Sequence, residues 1–118
     1  MITEDYVSFE TAKLLKEKGF EGDTSCYYVP DSSICWHYQH YQDFDKKDRI
    51  ECPTLQMAMK WLREVYKCLI VVGNKNGNYL YLIKDLKANT DLGISNDEYI
   101  HYDEACEAAI KYCLENLI

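Results

Sequence analysis

Apolar and polar positions alternate along this chain with two periods, and each change of period marks the start of a new element. In SFETAKLLKEKGF, Phe9, Ala12 and Leu15 fall on one side of a helix. Ser8 is placed to cap it, since a serine oxygen can accept from an early backbone N–H. Gly19 suits the left-handed position that ends a helix, with Phe20 folding back on Leu15. The pattern then changes: CYYV and ICWHY flank the turn-forming PDSS, which predicts a hairpin with a four-residue loop. That loop pairs Val29 with Ile34, Tyr28 with Cys35 and Cys26 with His37. QDFDKKDRIE is mixed in charge and reads as loop or frayed extension.

The clearest helix is PTLQMAMKWLREVYK, capped by Thr54. Leu55, Ala58, Met59, Leu62, Val65 and Tyr66 form its apolar stripe. It runs directly into CLIVVGNKNGNYLYLIKDL, where Asn76-Gly77 is a strong hairpin signal because a type I′ turn needs positive φ twice. Centring the turn there pairs Val72 with Tyr81 and Ile70 with Ile83. Tyr79, Tyr81 and Ile83 then share one sheet face and Leu80 and Leu82 the other, and both faces are apolar enough to need cover. KANTDLGISNDEYIHY reads as a turn-rich loop with room for a short strand near Tyr99–His101. The last helix, DEACEAAIKYCLENLI, turns Cys106, Ala109, Ile110, Cys113 and Leu117 inward and sets Glu107 and Lys111 as an i,i+4 pair. The expected fold is one α+β domain over 1–118, of order α-ββ-α-ββ(β)-α. Three helices pack on an antiparallel sheet built from two hairpins.

The segments VSFETAKLLKEKGF, CPTLQMAMKWLREVY and YDEACEAAIKY together resemble a family of small uncharacterised proteins from phages and mobile elements of Bacteroides-type gut bacteria. The resemblance covers most of the chain. It implies a cytoplasmic protein expressed from an accessory gene, and it carries no established activity. The Cys and His content of residues 26–52 is not a feature of that family.

Composition narrows the partners. A chain of 118 residues is long enough to bury a core without staples. Its formal net charge of -7 repels nucleic acid and anionic membrane surfaces at long range. The six cysteines invite a disulfide framework, but the N-terminus lacks the basic start and apolar run of a secretion signal. The expectation is a cytoplasmic protein with free thiols, no membrane span and no cofactor.

The candidate chemistry is concentrated in the first hairpin. In the register expected there, Cys26, Cys35 and His37 project from one face and would supply three of the four ligands of a structural zinc. The spacing matches no familiar zinc motif, and ligands two apart on a strand splay, so a packed Cys and aromatic hairpin is the favoured reading. The same geometry argues against Cys35 and His37 as nucleophile and base, and no catalytic residues are assigned. GNKNGN lacks the residues of a phosphate loop.

From Thr54 onward the order is that of double-stranded-RNA-binding domains, but the last helix opens on Asp103 and Glu104 where those domains use lysines. Lys60, Arg63 and Lys67 form a short basic stripe on the central helix, which supports a nucleic-acid-associated regulator as the second reading. The leading expectation is a non-enzymatic module that binds a host or phage protein. Its candidate surface is aromatic: Tyr79 and Tyr81 on one strand face, and Trp36 and Tyr38 with Tyr27 on the first hairpin. The same surface would serve a homo-oligomer.

Overall fold

A computed structural model describes residues 2–22, 24–29, 33–36 and 49–118. The order is α1 (Phe9–Glu17), β1 (Cys26–Tyr28), β2 (Ile34–Trp36), β3 (Ile50–Glu51), α2 (Leu55–Val65), β4 (Cys68–Lys75), β5 (Asn78–Asp85), β6 (Thr90–Ile94) and α3 (Tyr102–Tyr112). A π-helical turn, Cys113–Leu117, prolongs α3. The α+β class and antiparallel pairing agree with the sequence pattern. The strands divide, however, into two three-stranded sheets of order β2-β1-β3 and β4-β5-β6. No helix among the described residues is long and apolar enough to cross a membrane.

Local chemistry accounts for the helix ends. Ser8 accepts from the Thr11 backbone N–H, and Thr54 accepts from that of Met57. At the end of α1, Phe20 N–H reaches Leu15 C=O at 2.9 Å and Gly19 N–H reaches Lys16 C=O at 3.1 Å. Those two bonds define a Schellman closure, and Gly19 supplies its left-handed residue at φ 99°. Leu15 and Phe20 are both in the core.

α2 buries Leu55, Ala58, Met59 and Leu62 as its periodicity requires. Val65 departs from the expected stripe and is 56% exposed. Two residues later Lys67 takes φ 61°, which turns the chain into β4.

The second hairpin forms in the expected register, with Ile70 opposite Ile83 and Val72 opposite Tyr81. Asn76 and Gly77 both have positive φ, as a type I′ turn demands. The first hairpin differs by one residue: Cys26 pairs with Trp36, Tyr27 with Cys35 and Tyr28 with Ile34. Val29 N–H bonds Ser33 C=O at 3.0 Å, so the loop is one position shorter than the four residues expected. A one-residue slip exchanges the faces of a strand. Here it brings Trp36 to the side of Cys26 and Tyr28, where its ring meets Tyr6 edge-on at 5.5 Å.

Two strands lie where the sequence pattern reads as loop. β3 pairs with β1, Tyr27 opposite Glu51. β6 pairs with β5 through a bulge at Ile83/Lys84, and Tyr99 adds an isolated bridge to Tyr79. Gly93 on β6 sits under the Tyr112 ring; a Cβ there would lie 2.9 Å from it, so any larger residue would push the ring aside.

Candidate functional site

Cys26, Cys52, Cys68, Cys106 and Cys113 belong to the core. Cys26 and Cys52 face each other across β1 and the end of β3, with Cys52 N–H donating to Cys26 C=O at 3.2 Å. The Cys26 thiol donates to Cys52 C=O at 3.6 Å, and the Cys52 thiol donates to Val7 C=O at 3.5 Å. Tyr28 Oη also donates to Val7 C=O, at 2.9 Å, and Val7 N–H donates to Pro53 C=O at 3.1 Å. This network ties the N-terminal segment to the first sheet.

Burial pushes the Cys26 thiol above its ordinary value of 9.0 and the Cys52 thiol up to about 12. A buried, protonated thiol is a poor nucleophile, because the thiolate is the reactive form. Of the trio considered for zinc, His37 lies outside the described residues, and Cys26 faces Trp36 instead of that position. Among the described residues no group of three His, Cys, Asp or Glu is placed to hold a metal ion. Cys106 and Cys113 are buried free thiols, as their inward spacing implies, and Cys68 is buried and free as well.

Glu107 does not pair with Lys111, as its i,i+4 spacing suggests. Its Oε1 accepts from Ser8 N–H at 2.9 Å and from Thr11 Oγ1 at 2.7 Å, joining α3 to the first turn of α1. Lys111 pairs with Glu10 at 3.0 Å instead. The carboxylate thus sits at the electropositive end of α1, where the helix dipole stabilises it. Nothing local in the sequence marks this contact, because its partners are about a hundred positions apart.

Among the described residues the aromatic candidates do not form one exposed surface. Tyr81 is buried, 7% exposed, between Tyr99 and Tyr112, because its strand face is the one that α3 covers. This corrects its assignment to an interaction surface. Tyr79 is half-buried against the ring of Tyr102, and Trp36 packs on the core beside Tyr6. Tyr38 lies outside the described residues. Lys60, Arg63 and Lys67 are all exposed on or just after α2, so the basic stripe faces solvent. Asp103 and Glu104 occupy the first turn of α3, where a phosphate would otherwise dock.

The surface that stands out is aliphatic and lies on the other face of the second sheet. Cys68, Ile70, Tyr81 and Ile83 point inward and belong to the core that α2 and α3 complete. By alternation Leu69, Val71, Leu80 and Leu82 point outward. β6 extends this face, because Ile94 stands opposite Leu82.

Val71, Leu82 and Ile94 therefore form a continuous apolar row across three strands, with Val71 43% and Ile94 63% exposed. A Cβ built on Gly73, which shares this face, would meet nothing within 4 Å. The need for cover on both faces was legible from Leu80 and Leu82; the contribution of Ile94 was not, because its segment reads as loop. Comparisons with family models, with curated proteins and with solved structures find no match to this chain.

Proposed function

We propose that this protein is a non-enzymatic interaction module that docks another protein on the outer face of β4-β5-β6. The observation that carries this reading is the row Val71–Leu82–Ile94, widened by Leu69 and Leu80. Contiguous exposed apolar surface of this kind is characteristic of contact sites. The partner it suits offers an apolar patch of its own. Lys84 and Asp91, paired across the strands at one end of the face, give the contact a polar rim that fixes orientation.

A second reading rests on the solvent-facing Lys60, Arg63 and Lys67, which are the groups a nucleic-acid-associated regulator would use. One experiment separates the two. Tagged protein captures partners from host lysate with and without nuclease, beside Leu82→Thr/Ile94→Glu and Lys60→Glu/Arg63→Glu variants checked for unchanged melting. The docking reading expects a stoichiometric protein that survives nuclease and is lost only with the sheet-face variant. Partners that vanish with nuclease and with the basic-stripe variant would replace it by the second reading.

A further inference from the structure

We propose that β4 pairs with β4 of a second copy of this chain, joining two three-stranded sheets into one six-stranded antiparallel sheet. The two-residue turn at Asn76-Gly77 makes Lys75 and Asn78 a hydrogen-bonded pair. Counting back in steps of two, Leu69, Val71 and Gly73 direct their backbone groups at β5. Cys68, Ile70, Val72 and Asn74 direct theirs away from it. Among the described residues none of these outward N–H or C=O groups meets a hydrogen-bond partner.

Proteins protect free sheet edges with short strands, bulges, prolines or charges. The other edges here follow that rule. β2 has three residues and β3 two; β6 is bulged against its neighbour and carries Asp91. β4 is protected only by the lysine at its end, Lys75. It is eight residues long, pairs with β5 without a bulge, has no proline, and carries no charge from Cys68 to Asn74.

The strand is also complementary to itself. A two-fold axis at Val71 sets Val71 against Val71 of the second copy, and Leu69 against Gly73. Gly73 leaves the open space on the outer face that the leucine needs. In this register Ile70 meets Val72 and Cys68 meets Asn74, so four residue pairs exchange backbone bonds. Lys67 of each copy meets Lys75 of the other at the two ends, and each chain carries a formal charge of -7. Salt screens both repulsions, so pairing strengthens with ionic strength. The outer apolar faces lie side by side in the joined sheet and stay open; Val71 belongs to both contacts, whereas Ile94 belongs to the docking surface alone.

Sedimentation equilibrium tests the pairing. The mass is expected to rise from one chain to two with concentration, more steeply at high salt. Val71→Glu places like charges opposite each other at the axis and should raise the dissociation constant about tenfold or more without unfolding the monomer, since Val71 is already solvent-exposed. Val71→Cys should give a covalent dimer under diamide that the unsubstituted chain does not give, because facing residues of a non-hydrogen-bonded pair hold their Cβ atoms roughly 4.5–5.5 Å apart. A chain that stays monomeric at every concentration overturns the proposal, and so does a dimer indifferent to Val71→Glu. A dimer abolished by Ile94→Glu but not by Val71→Glu would also overturn it, by moving the contact from the strand edge to the sheet face.

Discussion

Replacing Glu107 by alanine tests whether the bond between α3 and α1 holds the fold together. Its Oε1 takes two donors, the Ser8 backbone N–H and the Thr11 hydroxyl. Thr11 is fully buried at 0% exposure, so without Glu107 its hydroxyl has only Ser8 Oγ, 3.1 Å away, to turn to. A hydrogen bond to a charged group contributes about 1.5–3 kcal/mol, and the Thr11 bond carries most of this because the exposed Ser8 N–H can turn to water.

One effect runs the other way. Glu107 Oε2 is buried without a hydrogen-bond partner, and alanine removes that desolvation cost. The balance is a loss of about 1–3 kcal/mol. Urea titration followed by circular dichroism reads it as a fall in the midpoint at unchanged slope.

Thr11→Val should be coupled to Glu107→Ala by about 1–2 kcal/mol in a double-mutant cycle, since each removes the same bond. The Lys111–Glu10 pair is the control. With side chains 35% and 76% exposed, it should contribute at most about 0.5 kcal/mol. A Glu107→Ala loss no larger than the control's, or strict additivity with Thr11→Val, would refute the assignment.

Two further outcomes follow from the buried thiols and from the end of α1. Burial raises Cys52 and Cys113 from 9.0 to about 12, so the folded state keeps protons that the unfolded chain releases. Their contribution is whole below pH 9 and is lost as pH rises from there towards 12, at up to about 1.4 kcal/mol per thiol per pH unit. Urea midpoints should therefore be level near neutrality and decline above pH 9, less so in Cys113→Ala; a midpoint independent of alkaline pH would count against this. Gly19→Ala meets no steric contact and acts through φ alone, so it should cost about 1–2 kcal/mol in thermal melting, and an unchanged Tm would show that the helix ends differently.

What could be read from the sequence was whatever depends on near neighbours. Ser8, Gly19 and Phe20 specify how α1 begins and ends within a few residues of themselves. The spacing of Leu55, Ala58, Met59 and Leu62 fixes the buried side of α2, and Asn76-Gly77 sets the register of β4 and β5, because only such a pair takes positive φ twice without strain. The alternation of Leu80 and Leu82 with Tyr79 and Tyr81 already showed a second apolar sheet face.

Tertiary structure decided the rest, because those choices are near-degenerate locally and long-range packing breaks the tie. The first hairpin could close with either of two loops, and the seat of Trp36 against Tyr6 selects the shorter. β6 has weak strand character of its own and forms because β5 offers it a ladder and Tyr112 closes over Gly93. Glu107 could pair with Lys111 in an isolated helix, yet in the folded chain the amide of Ser8 and the buried hydroxyl of Thr11 are the stronger claim. Which sheet face stays open was settled the same way: α2 and α3 cover the side of Ile70, Tyr81 and Ile83, and leave Val71, Leu82 and Ile94 outside.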